Sequence, residues 1–251
     1  MPDQSKGVAV ITGASRGIGA ACARLAARDG WDVCVNYAGN AEAAARVCAE
    51  VEAAGRRALA VQGDVSKEGD VLNLFAEAGD MGPVTAFVNN AGILDMRMPL
   101  AEMDTARIAR LVAVNVTGAL ICAREAVRAM SKSRGGQGGA IVNVSSRASA
   151  IGGAGEYVDY AATKGAIDTL TLGLSKEVGG DGIRVNAVRP GLIETEIHAT
   201  GGAPNRAHDL AGGVPMKRPG TAEEVAETIV WLMGDKSSYV NGALLDVGGG
   251  R

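Results

Sequence analysis

Tyr160 and Lys164 are the side chains whose types and spacing most directly suggest chemistry. They lie four residues apart in a segment of helical period, so they share a face and come within side-chain reach. A free phenol, with a pKa of about 10, is a poor base at neutral pH. A neighbouring ammonium favours the phenolate and is expected to lower that value. A phenol tuned in this way can give a proton to a carbonyl oxygen or take one from an alcohol. Exposed Tyr–Lys pairs on helices are also common and inert, so the pair needs a context. Tyr157 and Tyr37 are followed at the fourth position by Ala161 and Ala41 and lack such a partner.

The context is a glycine-rich run, Thr12-Gly13-Ala14-Ser15-Arg16-Gly17-Ile18-Gly19, where an apolar strand gives way to a helix. Glycine permits the tight turn and lets main chain approach a phosphate closely. The helix start adds unpaired N–H groups and a partial positive charge that suit a pyrophosphate. The spacing is not the common G-x-G-x-x-G, so position at the first strand–helix junction carries the reading.

Apolar runs of strand length alternate with segments of helical period along the whole chain. Strands are expected at Val8–Ile11, Val33–Val35, Ala58–Val61, Val84–Val88, Ala140–Val144, Arg184–Val188 and Ala243–Val247. Helices are expected at Gly17–Asp29, Ala41–Ala54, Lys67–Ala78, Tyr157–Val178 and Glu223–Met233, with two more between Leu100 and Lys132. Such alternation predicts parallel strands joined by right-handed crossovers, with helices on both faces. The fold class expected is therefore α/β, one Rossmann-type doubly wound domain of about seven strands over 1–251. Gly191–Met216 lacks regular period and reads as a lid.

The chain has 251 residues, a net charge of −3 and 47% hydrophobic residues. No long run of one sign points to nucleic acid or an acidic membrane, and a small-molecule substrate is the default. No signal peptide or apolar stretch of membrane-spanning length is read from the sequence. Cys22, Cys34, Cys48 and Cys122 form no Cys-x-x-Cys pair, and two histidines complete no zinc set. Free thiols fit a reducing cytoplasm. His198 and His208 read as solvated loop residues.

The motifs occur in a recognisable order: TGASRGIG, Asn89-Asn90-Ala91-Gly92, Ser145-Ser146, Tyr160-Ala-Ala-Thr-Lys164 and Pro190-Gly191. Together they resemble the short-chain dehydrogenase/reductase family over Lys6 to Gly249. The likeness is greatest to bacterial glucose/ribitol dehydrogenase-like and 3-oxoacyl-carrier-protein reductase-like members. The resemblance implies an NAD(P)(H)-dependent interconversion of a ketone and a secondary alcohol, in a homo-oligomer, usually a tetramer. It makes Asn115, Ser146, Tyr160 and Lys164 the catalytic group, with Asn115 holding a water that links Lys164 to solvent. Lys164 would also hold the nicotinamide ribose. Strand alternation sends one of Ser145 and Ser146 into the cleft, and alignment to the family selects Ser146. The Ser146–Tyr160 spacing of 14 is one residue more than is usual there, with the extra residue within Gly155–Asp159.

For the cofactor, the resemblance adds Ser15 and Ile18 in the glycine loop, Asp64 and Val65 at the adenine, Asn90, Ala91 and Gly92 beside the fourth strand, and Pro190, Gly191, Ile193 and Thr195 near the nicotinamide. Asn89 is expected to be structural. Asp64 could instead cap the next helix, a post that Ser66 could also fill. The second strand ends in Asn36-Tyr37, with no acid to repel a 2′-phosphate, and Arg16 could meet one. NADP(H) is therefore favoured over NAD(H). Leu94, Arg147, Gly153, Glu156, Tyr157 and His198 are candidate cleft residues, and Arg147, Glu156 and Asp159 lean toward a hydroxylated substrate such as a sugar or polyol. Two rival readings remain. One is a 3-oxoacyl-carrier-protein reductase that docks an acidic carrier on Arg124, Arg128 and Lys132. The other is a non-catalytic nucleotide sensor, which would be expected to have lost the tyrosine or the lysine. Sugar-nucleotide epimerases share the Tyr-x-x-x-Lys pair but usually need a longer chain.

Overall fold

The computed structural model describes residues 5–196 and 201–251. Seven parallel strands form one sheet in the order β3-β2-β1-β4-β5-β6-β7. They are β1 Val8–Ile11, β2 Asp32–Tyr37, β3 Ala58–Gln62, β4 Val84–Asn89, β5 Gly139–Val144, β6 Ile183–Pro190 and β7 Leu244–Val247. Every neighbouring pair is parallel. Order reverses between β1 and β4, which opens a crevice at the carboxyl ends of those strands.

Alternate residues feed two cores. Ala9, Ile11, Val33 and Val35 join one apolar cluster, and Val8, Val10 and Cys34 join the other. A period of two along strands covered on both faces produces this division. The first cluster takes helix α1 (Gly17–Arg28) and the late helix Ala222–Met233. Alanine, glycine and cysteine dominate the buried face of α1, which lets it lie close to the sheet. The second cluster takes α3 (Glu68–Met81), α5 (Ala119–Met130) and α7 (Val158–Val178). α2 (Ala41–Ala53) covers the outer strands, and Asn40 caps it by accepting from the Ala43 N–H at 2.9 Å.

The two helices expected between Leu100 and Lys132 are one helical run. α4 (Thr105–Val112) passes through a π turn at Ala113–Gly118 into α5. Contrary to the sequence reading, Thr105–Met130 is long and apolar enough to cross a membrane by length and composition. Leu111, Cys122, Ala126 and Met130 are buried in the protein, while Ile108, Val112 and Leu120 of the same run are exposed. Gly118 explains the close fit, since a Cβ there would lie 2.8 Å from the Val65 carbonyl oxygen.

The expected lid, 191–216, includes the short helix Arg206–Asp209 and a 3₁₀ turn at Ala211–Gly213. His198 lies outside the described residues. The remaining helices are numbered α6 (Ala148–Ile151), α8 (Arg206–Asp209) and α9 (Ala222–Met233).

A buried polar relay fixes α7 against the strand ends. Asn89 Nδ2 donates to the Ala119 carbonyl (3.0 Å) and to Asn143 Oδ1 (3.1 Å). Asn143 Nδ2 donates to Thr171 Oγ1 at 2.9 Å. One chain of bonds thus joins β4, β5, α5 and α7, and Asn89 is structural as expected. Asn143→Leu removes the central member and strands its partners. The variant is expected to lose about 1–3 kcal/mol of unfolding free energy, read as a lower urea midpoint with an unchanged m value.

Candidate active site

A cleft of about 970 Å³ runs along the strand ends. At its cofactor end, Thr12 is fully buried. Its hydroxyl accepts from the N–H groups of Asn90 and Ala91, both at 3.0 Å. Asn90 Nδ2 donates back to the carbonyls of Thr12 and Gly13 at 2.8 and 3.2 Å. The glycine loop is therefore locked to the end of β4 before any ligand arrives. Gly13 and Gly17 have φ of +62° and +51°, which glycine adopts at little cost. A Cβ on Gly19 would sit 2.5 Å from the Gly13 carbonyl oxygen. The result is a shallow main-chain cradle at the N-terminus of α1, with the chemistry a pyrophosphate needs.

Most sequence-predicted cofactor residues line this cleft: Gly13, Ser15, Arg16, Gly17, Ile18, Asn36, Asp64, Val65, Asn90, Ala91, Gly92, Pro190, Gly191, Ile193 and Thr195. Three of the expected residues are placed differently from the rest. Gly19 does not line the cleft; it is spent on the turn behind it. Tyr37 also does not line it, and packs against the apolar cluster beneath α1; Ala38, Gly39 and Asn40 face the cleft instead. Asn36 is 2% exposed, with its side chain committed to the protein. Its Oδ1 accepts from the Gly13 N–H at 3.3 Å, and its Nδ2 donates to the carbonyls of Val61 and Gly63. It holds the loop rather than offering itself to a ligand. Asp64 caps no helix: its Oδ1 accepts from the Ser66 N–H and hydroxyl at 3.0 and 2.8 Å.

At the other end, both serines line the cleft just beyond β5, and their hydroxyls differ in what they bond. Ser145 is buried and donates to the Lys164 carbonyl at 3.1 Å. Ser146 lines the cleft with Tyr160 and Lys164. Asn115 lies in the π turn and is 1% exposed. Its Oδ1 accepts from the Ile93 N–H at 2.8 Å, while its Nδ2 donates to the Ile93 carbonyl and to Thr163 Oγ1. Both amide hydrogens are thus spent on pinning the loop after β4 to α7. π turns inside helices frequently mark functional sites, and this one places Asn115 where a regular helix would not.

The electrostatics depart from the expected sense. Burial pushes the Tyr160 phenol up to about 12, against a lowering from the Ser146 hydrogen bond. No lowering from Lys164 joins that of Ser146. The ammonium is drawn to the Val144 carbonyl at 2.8 Å and stands 5.6 Å from the Tyr160 ring centre. Lys164 is itself 5% exposed, and burial depresses its pKa to about 8, partly offset by Asp168 one turn further along α7. Gly92 makes room for this arrangement, since a Cβ there would meet Asn115 Oδ1 at 3.4 Å and Lys164 Nζ at 3.5 Å.

The substrate end is walled by Leu94, Arg147, Gly153 and Tyr157, as expected. Glu156 stands behind the wall and pairs with Arg206 of α8. The Arg206 guanidinium also lies 5.1 Å from the Tyr157 ring centre, and Tyr157 donates its hydroxyl to the Gly201 carbonyl at 3.4 Å. Asp159 is not an entrance residue: it forms a buried ion pair with Arg107 of α4, Nε to Oδ2 at 2.7 Å. Its Oδ1 accepts from the Tyr160 N–H at 2.8 Å, and Arg107 Nη1 donates to the Met96 carbonyl. One arginine therefore ties α4, the loop after β4 and the start of α7 together. His208 Nε2 lies 3.1 Å from Glu194 Oε1. Among the described residues no cluster could hold a metal, and all four cysteines are free.

Comparison with known proteins accords with this geometry. A family model described as enoyl-(acyl carrier protein) reductase matches residues 13–251. An uncharacterised oxidoreductase of Escherichia coli K12, YgfF, is 52% identical over 97% of this chain and 99% of its own. The cis-4-hydroxycyclohexanecarboxylate dehydrogenase of Sinomonas cyclohexanicum is 41% identical over 97% and 95%. Among solved structures, a short-chain dehydrogenase of Burkholderia cenocepacia in complex with NADP superposes with a TM-score of 0.88 at 33% identity, covering 99% of this chain and 98% of that one. A 3-ketoacyl-(acyl-carrier-protein) reductase of Brucella melitensis complexed with NADH gives 0.89 at 32%, covering 98% of each. The chain belongs to the short-chain dehydrogenase/reductase family, as an oxidoreductase that acts on CH–OH groups with a nicotinamide cofactor.

Lys164 provides a test of the buried charge. Its folded pKa of about 8 lies below the ordinary 10.5. Between those values the unfolded chain holds a proton that the folded chain lacks, so stability from this group rises with pH across that window. Below about 8 the folded state carries the full burden of the buried ammonium. Lys164→Met is therefore expected to raise the urea midpoint at pH 7, with the gain shrinking as pH approaches 10; a loss of stability at pH 7 would contradict the burial argument.

Proposed function

We propose that this enzyme reduces a ketone to a secondary alcohol, or runs the reverse, on a small metabolite such as a sugar, polyol or cyclic alcohol, with Tyr160 as the acid/base. The observation that carries the reading is the convergence of Tyr160, Ser146 and Lys164 on the cleft that the glycine loop opens into. A bound nicotinamide supplies or accepts the hydride. The chain's own residues handle the oxygen. Ser146 hydrogen-bonds the substrate oxygen as charge develops on it. Tyr160, held protonated at neutral pH by its high pKa, stands in the form that donates to that oxygen. Lys164 supplies positive charge one helical turn away and is placed to hold the ribose hydroxyls. Asn115 keeps the loop after β4 in register with α7. A proton relay from Lys164 to solvent has to use groups other than its amide hydrogens, which are already committed.

The relative that acts on a hydroxycyclohexanecarboxylate supports a small CH–OH substrate. The carrier-protein reductase reading draws on the Brucella relative, but two members of the proposed docking stripe, Arg124 and Arg128, are already paired with acids. Arg124 pairs with Glu68 and Glu125, and Arg128 with Glu125. The sensor reading finds no support in a site that retains its tyrosine and lysine. A reducing cytoplasm suits the four free cysteines. Assembly into a homo-oligomer would cover Ile108, Val112 and Leu120, which are exposed on the α4–α5 run.

NADP(H) is the cofactor favoured. Solved relatives hold NADP or NADH, so the preference rests on this chain. No acid occupies the tip of β2 from Asn36 to Asn40. Arg16 is exposed at the cleft, across from the start of α2. A guanidinium fork there matches a 2′-phosphate.

Two measurements test these assignments. Tyr160→Phe is expected to bind NADPH normally, by fluorescence titration, and to lose at least about a thousandfold in turnover on any ketone from a carbonyl panel; substantial residual turnover would sink the acid/base role. Arg16→Ala is expected to raise the KM for NADPH by about ten- to a hundredfold while leaving that for NADH within about threefold. Equal effects on both cofactors would remove the case for phosphate recognition.

A further inference from the structure

Tyr160 sits in the first turn of α7, which starts at Val158. Helix ends fray, and the first N–H groups have no partner within the helix. Tyr157, the residue before α7, makes no side-chain cap bond. A proton donor placed there needs holding from outside its own helix. Two buried residues of the run from α4 into the π turn do this. Asn115, in the π turn, donates to Thr163 Oγ1 at 3.2 Å, and the Thr163 hydroxyl donates to the Tyr160 carbonyl at 2.7 Å. Arg107, in the first turn of α4, donates Nε to Asp159 Oδ2 at 2.7 Å and Nη2 to Asp159 Oδ1 at 3.4 Å. Asp159 Oδ1 also accepts from the Tyr160 N–H at 2.8 Å. Both main-chain groups of Tyr160 are therefore tied, through one intermediary each, to the same helical run.

The two ties have the same design at their other ends. Asn115 bonds both main-chain groups of Ile93, and Arg107 Nη1 donates to the Met96 carbonyl. Between those points stand Leu94 and Asp95, which line the cleft. Each tie thus joins the start of α7 to the loop after β4. Arg107 is itself fixed, since its N–H donates to Asp104 Oδ1 at 2.7 Å at the cap of α4. Arg107 and Asp159 are 4% and 8% exposed. Apolar side chains can often fill the place of a buried ion pair with no loss of stability, so stability is a weak reason for this one. What the ions add is direction. A guanidinium fork reaches a carboxylate and a carbonyl at once, and a carboxylate in the first turn of α7 suits the helix dipole.

We infer that Arg107 and Asp159 are positioning residues for the reaction: they form a second clamp, parallel to that of Asn115, which sets the Tyr160 main chain against the loop that walls the substrate end. This rests on the reading of Tyr160 as the acid/base. Neither side chain lines the cleft, so neither meets the reacting atoms. Their contribution is the placement of the phenol. Loss of the clamp slows the proton step and leaves the cofactor cradle at the glycine loop intact. A misplacement of about 1 Å can cost about a hundredfold in rate.

The test compares two variants. Arg107→Met with Asp159→Leu fills the space without charge, and Arg107→Lys keeps the charge but has no fork to span Asp159 and Met96. Tyr160→Phe is the control. For each, the urea midpoint, NADPH affinity by fluorescence titration, and kcat with its solvent isotope effect are measured, the last two on the ketone of the carbonyl panel that the unsubstituted protein reduces fastest. Both variants are expected to bind NADPH within about threefold of the unsubstituted protein and to lose at least about tenfold in kcat. Their solvent isotope effect should grow, because a displaced donor makes proton transfer limit the rate. A purely structural pair would move the urea midpoint and NADPH affinity along with kcat and leave the isotope effect alone; that result overturns the inference. So does a folded double variant whose kcat stays within about threefold. If the double variant does not fold, Arg107→Lys decides by the same readings. Failure of the Tyr160 reading looks different: Tyr160→Phe then keeps its turnover, whatever the two clamp variants do.

Discussion

Lys164 holds an amine where a charge is expensive, with 5% of the residue exposed and a pKa drawn down to about 8. Much of the surrounding structure exists to keep it there. Its ammonium donates to the Val144 carbonyl at the end of β5. Gly92 leaves the space that its head group and Asn115 occupy. Asp168, one turn on, opposes the effect of burial. The Asn89–Asn143–Thr171 relay stops α7 sliding along the strand ends. These groups, main-chain or buried, surround Lys164 from β5, the loop after β4 and α7 at once. A buried ammonium is a standing cost in stability, and function explains why a chain would retain it.

The sheet order turns this local arrangement into a cleft. β1 and β4 are adjacent, but the chain leaves them toward opposite faces, so nothing covers the strand ends between them. The glycine loop after β1 and the Asn90–Gly92 segment after β4 meet across that gap through Thr12 and Asn90. The hydrogen-bonding groups left over on the loop are its N–H groups at the start of α1. The pyrophosphate cradle is therefore built from main-chain geometry, with Arg16 the side chain proposed to add recognition of a 2′-phosphate, whereas the other end of the cleft is walled by side chains such as Leu94, Arg147 and Tyr157.

That contrast explains what could be read from residues alone. Strand positions are legible because both sheet faces are covered, giving apolar runs such as Val8–Ile11 and Ala140–Val142 whose burial the structure repeats. The choice of Ser146 over Ser145 followed from a period of two together with the family alignment. Tyr37 was misplaced because it ends a strand, where the turn into residues 38–40 decides which side chains face a ligand. Asn36 was misread because its polar groups are satisfied by Gly13, Val61 and Gly63, partners remote in sequence. The sense of the Tyr160 shift was misjudged for a similar reason: spacing gives the distance along a helix but not the desolvation of the phenol or the Val144 carbonyl that claims the lysine. The two helices expected between Leu100 and Lys132 are α4 and α5, and what the residues alone do not reveal is that the π turn Ala113–Gly118 joins them without a break.

The substrate end was the least legible part, and its construction shows why. Its ion pairs join residues 52, 50 and 99 positions apart: Arg107 with Asp159, Arg206 with Glu156, and Arg147 with Asp246. In sequence each looks like an ordinary solvated charge. Folded, Arg107 and Asp159 are buried together and set the start of α7, where removing either partner would leave an uncompensated charge inside the protein. Arg206 and Glu156 are less buried and tie the lid to the loop before α7, so they can part at lower cost. The pair next to Tyr160 is thus buried on both sides, whereas the pair between Arg206 and Glu156 is more exposed, so the start of α7 is held more firmly than the 206–209 turn packed beside it.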